Sequence, residues 1–233
     1  MYRKLKIEIN KENIKNNIKN LINELNYKYY IGVVKGNFYG HGTGLARTME
    51  KGGINYFAVS NLDEAIALRG ETKLPILILE PIDYKYFDIA CKNNITLTIN
   101  SKEYYDLIKE YKEKIKVHLK IDSGLNRLGI KNKDDVDYIV SDIKNTNLYL
   151  EGIYTHFATS GILDKQYDIQ LSRFKELTSN IDLNNIDIVH IDRSATALAH
   201  EKNSITNGVR LGISMYGFNP IPYIPNTFMN RLR

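Results

Sequence analysis

Lys35 stands directly after the apolar run Tyr30-Ile31-Gly32-Val33-Val34 and precedes Gly36-Asn37-Phe38-Tyr39-Gly40-His41-Gly42. An amine delivered at the end of an apolar strand suits imine formation with a carbonyl, because partial burial lowers an amine's pKa and makes it nucleophilic. The glycines that follow fit neither the G-x-G-x-x-G nor the P-loop pattern of nucleotide sites. Other polar residues close or flank other apolar runs. These are Lys120 and Asp122 at the end of Lys116–Ile121, His156 after Leu150–Tyr154, Arg193 and Ser194 after Ile188–Ile191, and Arg210 beside Gly212–Tyr216. Each has a plainer reading: a solvated lysine, a hydrogen-bonded structural histidine, an ion pair between Lys120 and Asp122 on one strand face, a helix N-cap at Ser194. What sets them apart is their common place at one rim.

That rim requires elements to build it. Short β-branched runs alternate with amphipathic stretches of about 10–15 residues, the pattern of repeated βα units around a parallel sheet. Helical spacing of Ile14, Ile18, Leu21, Ile22 and Leu25 predicts a helix over Lys11–Leu25. Strands are predicted over Tyr30–Val34, Tyr56–Ser60, Ile76–Leu79, Thr96–Ile99, Lys116–Ile121, Leu150–Tyr154, Ile188–Ile191 and Gly212–Tyr216. Helices are predicted over Asp63–Arg69, Tyr84–Lys92, Ser101 (as N-cap) to Tyr111, Asp134–Ile143, Lys165–Ser179 and Ala195–His200. Eight such strands fit an α/β fold of the (β/α)8 TIM-barrel type, in which the C-terminal strand ends face the active site. A doubly wound open sheet is the alternative, though it usually shows a Gly-rich phosphate turn after its first strand.

The chain has 233 residues, which suits a single barrel domain with little to spare. The expected division is an extra strand within 1–10, the barrel over 11–218, and a linker over 219–233, where Pro220, Pro222 and Pro225 fall. The net charge of +5 is spread among Asp and Glu without a basic block, so a solvated surface is expected rather than a nucleic-acid partner. The one cysteine, Cys91, excludes an intrachain disulfide and a cysteine zinc site. It fits a reducing cytoplasm and a buried structural thiol, and no metal is expected. No signal peptide or apolar run long enough to cross a bilayer is seen, so no membrane partner is expected.

The segment from Val33 to Gly42 resembles the cofactor-attachment signature of the alanine racemase family, fold-type III pyridoxal-phosphate enzymes. Further resemblances follow in the family's order: His118-Leu119-Lys120-Ile121-Asp122-Ser123-Gly124 with Arg127-Leu128-Gly129, then Thr155-His156-Phe157-Ala158. The last is Val209-Arg210 with Gly212-Ile213 and Tyr216-Gly217. Together they run from about Leu5 to Pro220.

The resemblance implies a cofactor, pyridoxal 5'-phosphate, and a role for each matching residue. Lys35 would hold it covalently and move the substrate's α-proton on one face. Tyr39, Ser194, Gly212 and Ile213 would hold its phosphate, Arg210 would face the pyridine nitrogen, and His156 would pack on the ring and bridge to Arg210. Arg127 would contact the phenolic oxygen and the substrate carboxylate, and Lys120 matches a lysine that is often carbamylated. The implied activity is racemisation of L-alanine to D-alanine for peptidoglycan precursors. A serine or broader-specificity racemase and a non-catalytic cofactor-homeostasis protein remain alternatives. Two departures stand out. Arg193 replaces the family's Asn, and the second acid/base is expected from a tyrosine in a C-terminal β domain, given by the partner of a homodimer. The sequence is read as lacking that domain, so the chain alone is expected to be inactive or weak.

Overall fold

A computed structural model describes residues 6–158, 165–221 and 232. The strands among these residues are β1 (Tyr29–Val33), β2 (Tyr56–Val59), β3 (Ile76–Ile78), β4 (Ile95–Ile99), β5 (Ile115–Lys120), β6 (Leu148–Tyr154), β7 (Ile188–His190), β8 (Asp192–Arg193) and β9 (Gly208–Leu211). All pair in parallel, in the order β7-β6-β5-β4-β3-β2-β1-β9-β8. Strand β7 pairs with β6 and β8 pairs with β9, and only Ile191 separates β7 from β8. Residues 188–193 therefore act as one interrupted stave. The sheet is a nearly closed barrel with eight staves, as expected of a TIM barrel.

Every residue of β2, β3 and β4 is buried, because helices cover one face and the barrel interior the other. Ile31, Val33, Tyr56, Ala58, Leu77 and Ile188 form a small inner cluster at alternate strand positions. A much larger cluster joins the outer strand faces to the helices.

Helix α1 (Lys11–Leu25) has the predicted bounds. Asn10 caps it by accepting from the Asn13 amide (3.1 Å), and Asn26 ends it in the left-handed region at φ 48°. Its buried face carries Ile14, Ile18, Leu21 and Leu25, while Asn17 Nδ2 donates to Met215 O at 3.3 Å. The remaining helices are α2 (Lys35–Tyr39), α3 (Ala46–Gly52), α4 (Leu62–Arg69), α5 (Phe87–Lys92), α6 (Lys102–Ile108), α7 (Lys133–Asp142), α8 (Lys165–Leu177) and α9 (Ser194–Ala199).

The structure corrects several expectations. The last strand is Gly208–Leu211, and Gly212–Tyr216 is not a strand: Ile213–Tyr216 is a 3-10 turn. Pairing decides this, since Tyr29–Gly32 of β1 needs a partner and takes Gly208–Leu211 in register. The Tyr84–Lys92 stretch divides into a 3-10 turn, Tyr84–Tyr86, and α5. Ser101 caps α6 as expected, accepting from the Tyr104 amide at 3.1 Å, but the helix stops at Ile108. Helices α2 and α3 were not anticipated. Of the expected first strand around Leu5–Ile9, residues 6–10 are not a strand. Its earlier part, and the linker from 222 to 231 with 233, lie outside the described residues.

Candidate active site

Lys35 leaves β1 into a turn of unusual hand. Gly36, Asn37, Phe38 and Tyr39 have φ of 59°, 53°, 55° and 55°. A left-handed turn costs roughly 1–2 kcal/mol per non-glycine residue, so something must hold it. The Glu64 carboxylate, from α4, accepts from the Gly36 amide (2.7 Å) and the Ser60 amide (2.8 Å). Gly40 N donates to Gly36 O at 2.9 Å, and Phe38 is buried beneath the turn. The result carries Lys35 and Tyr39 to the same opening.

Lys35, Tyr39, Lys120, Arg127, His156, Arg193, Ser194, Arg210, Gly212 and Ile213 all line one cavity of about 580 Å³ at the C-terminal ends of the strands. Asp122 does not line it. Its Oδ1 accepts from the Gly124 and Asn126 amides, both at 3.0 Å, and its cation neighbour is Lys131 at 3.8 Å rather than Lys120. The structural ion pair weighed for Lys120 and Asp122 is thus not formed.

One corner is built by β9, α9 and the left-handed turn. Arg193, not Ser194, is the N-cap of α9. Ser194 Oγ accepts from Gly212 N (3.0 Å) and from Ser214 Oγ (2.9 Å). Both of those contacts use its lone pairs, which leaves its own proton to donate. A Cβ on Gly212 would lie 3.0 Å from Tyr39 Oη, so any larger residue would crowd that hydroxyl.

The cavity as a whole is cationic. Lys120, Arg127, Arg193 and Arg210 line it, with Glu80 as the carboxylate among the lining residues. Lys120 is 4% exposed, and its Nζ lies 5.6 Å from the centre of the Tyr154 ring. Burial first, then Arg127 and Arg210, lower its pKa to about 8. His156 is driven down to about 2 by burial and by Arg210, Arg193, Arg127 and Lys120, so its ring is neutral. Arg210 is fully enclosed: Nη2 donates to Thr155 O (2.6 Å) and Ile191 O (3.2 Å), and Nη1 to His190 O and to His190 Nδ1 (2.8 Å).

Sequence reasoning missed Tyr154, which lines the cavity and stacks on His190 at 4.5 Å. It also missed that the histidine hydrogen-bonded to Arg210 is His190. The available signal for Tyr154 was its place as the last residue of β6, the position that Lys120 holds on β5.

Residues 9–220 match the family profile described as alanine racemase, N-terminal domain. The chain is 38% identical over 219 residues to the alanine racemase of Streptococcus agalactiae, covering 91% of this chain and 59% of that protein. Alanine racemase from Bacillus anthracis, solved with bound L-Ala-P, superposes with a TM-score of 0.87 at 31% identity, covering 98% of this chain and 62% of that one. Histidine racemase from Leuconostoc mesenteroides superposes with a TM-score of 0.83 at 27% identity, covering 92% and 60%. The chain thus spans about three fifths of the length of these relatives.

Proposed function

The chain belongs to the alanine racemase N-terminal domain family, and from that membership we propose that it is the cofactor-binding barrel of a pyridoxal-phosphate-dependent amino-acid racemase acting on alanine. One observation carries the reading. Residues from four separated sequence motifs, which the family would use together, line a single cavity.

The residues present fit pyridoxal phosphate. The Ser194 proton, the glycine notch under Tyr39 Oη and the cationic lining form a receptacle for a dianionic group beside an amine. Lys35 would hold the cofactor covalently through Nζ. Tyr39 and Ser194 would hold the phosphate, with the amides of Gly212 and Ile213. When bound, the cofactor would draw off the electron pair left on the substrate's α-carbon.

The chain's own residues do the rest. Lys35 Nζ takes or returns the α-proton on one face. Arg210 would face the ring nitrogen and, as a donor that keeps its proton, leave that nitrogen unprotonated. His156, neutral, would pack against the ring. Arg127 would bind the substrate carboxylate, and Lys120, carbamylated, would orient it. Arg210 and Lys120 are both almost fully buried, so their charges act in a dielectric lower than that of water.

Racemisation needs a base on each face. In this proposal the second comes from a partner subunit's C-terminal domain, so the working unit is a homodimer. Alanine is the first substrate to assay. The histidine racemase likeness favours assaying larger side chains beside it, serine and histidine included. A cytoplasmic setting belongs to the same proposal, and no helix among the described residues is long and apolar enough to cross a membrane.

The test is spectroscopic. Incubation with pyridoxal phosphate is expected to give a visible absorbance band, and borohydride is expected to fix the cofactor on the Lys35 peptide. Lys35→Ala should abolish both. A colourless native protein with an unmodified Lys35 would end the proposal.

A further inference from the structure

Beneath the cavity the barrel interior holds titratable groups that the mechanism above does not use. His118 and His190 are 0% exposed and Glu151 is 5% exposed. They form a chain leading away from the site. Arg210 Nη1 donates to His190 Nδ1 at 2.8 Å, and His190 Nε2 lies 2.9 Å from His118 Nδ1. His118 Nε2 lies 3.2 Å from Glu151 Oε2. Glu151 also accepts from the Tyr56 hydroxyl (2.7 Å) and from Lys116 Nζ (2.5 Å). Lys116, near the start of β5, is partly exposed at the barrel end opposite the site.

With both rings neutral, one arrangement of protons satisfies every contact. A guanidinium has no acceptor, so His190 Nδ1 must accept and its proton sits on Nε2. That proton points at His118 Nδ1, which must therefore accept as well. The His118 proton then sits on Nε2 and is donated to the Glu151 carboxylate. A second proton on either ring would set two N–H groups face to face. Burial above all disfavours it, lowering the pKa of both histidines.

The fold makes room for this chain. The β5–β6 register slips between Val117 and His118, so that Val117 pairs with Leu150 and His118 with Gly152, leaving Glu151 as the extra residue. A Cβ on Gly152 would lie 2.6 Å from His118 Nδ1 and Cε1, so the ring needs a glycine there.

We propose that Glu151 is a positioning residue for Arg210: its acceptor-only carboxylate dictates, from the far end of the chain, the same tautomers of His118 and His190 that the donor-only guanidinium requires, so an acceptor always faces Arg210. The use made of Arg210 rests on the racemase reading; the direction of the hydrogen bonds does not.

Long-range nitrogen–proton correlation spectra of the cofactor-free protein, labelled in histidine and arginine, read each tautomer. The native chain is expected to show His118 and His190 protonated at Nε2 alone, and protonation of either at Nδ1 would overturn the proposal. In Glu151→Gln, Lys116 Nζ claims the one remaining oxygen, so the amide N–H faces His118 Nε2 and opposes the proton order that Arg210 imposes from the other end. It is expected to break the single-tautomer pattern at both rings, shift the Arg210 Nη resonances and weaken pyridoxal phosphate binding about fivefold to tenfold. A folded variant with native tautomers, or one with altered tautomers and unaltered cofactor affinity, would overturn the positioning role. Should the variant not fold, the native tautomers decide. A native protein that shows these tautomers yet binds no pyridoxal phosphate would count against the proposed function and leave the hydrogen-bond direction intact.

Discussion

The protonation state of Lys120 is the most informative residue-level property of the site. A pKa near 8 means that a tenth or so of the amine is neutral at pH 7 and most of it at pH 9. Only the neutral amine reacts with carbon dioxide. At fixed dissolved carbon dioxide, the carbamate on Lys120 is therefore expected to rise with pH across this interval, read as a carbon-13 signal that Lys120→Arg removes. A flat profile would argue against carbamylation. Gly212 gives a second test. Gly212→Ala places a methyl 3.0 Å from Tyr39 Oη and should push that hydroxyl aside. Pyridoxal phosphate affinity is expected to drop roughly tenfold, about one hydrogen bond to a charged group, while urea unfolding shifts little. Both residues stand in linear motifs and were legible in the sequence. The contact of Glu151, His118 and His190 was not, because strands 33 and 72 residues apart bring them together and each, read alone, is an ordinary buried polar residue.

At the scale of elements, legibility followed how local the deciding force was. Helix α1 has an apolar face and a capping Asn10, and its bounds were read as they stand. Helix α3 has no apolar stripe in Ala46–Gly52 and was passed over, its stability coming from packing against α1. The final strand was displaced because Gly212–Tyr216 looks as apolar as Gly208–Leu211, and only pairing with β1 separates them. The left-handed turn after Lys35 was illegible for another reason. Asn37, Phe38 and Tyr39 have no shared preference for positive φ, and the Glu64 carboxylate that holds them lies on another helix. The bulge on β6 yields an element-scale prediction. Gly152→Ala forces a methyl against the His118 ring at 2.6 Å, and overpacking of that kind costs about 1–3 kcal/mol. The expected outcome is a lower urea midpoint with an unchanged slope; an unchanged midpoint would show that the ring can move.

For the whole molecule, three histidines set the response to acid. His118, His156 and His190 all have pKa values lowered from 6.5, chiefly by burial. Below pH 6.5 the unfolded chain binds protons that the folded chain refuses, so stability falls as pH falls. The slope reaches up to about 1.4 kcal/mol per pH unit for each group. Urea midpoints measured from pH 7.5 to 5 should decline steadily, and a level profile would contradict the neutral rings. A second prediction concerns catalysis. A 233-residue polypeptide of this sequence, assayed without any further domain, should bind the cofactor yet form D-alanine slowly or not at all, and a rate equal to that of its longer relatives would refute the two-subunit proposal. The break at Ile191 has a consequence of its own. Where the staves of residues 188–193 lose regular pairing, Arg210 reaches from β9 to the carbonyls of His190, Ile191 and Thr155. It is a rivet across the seam of the drum, so anything that tugs on its guanidinium also tightens or loosens the hoop. Amide hydrogen exchange along that seam should slow when a ligand seats, and the cylinder should spring there first when it opens.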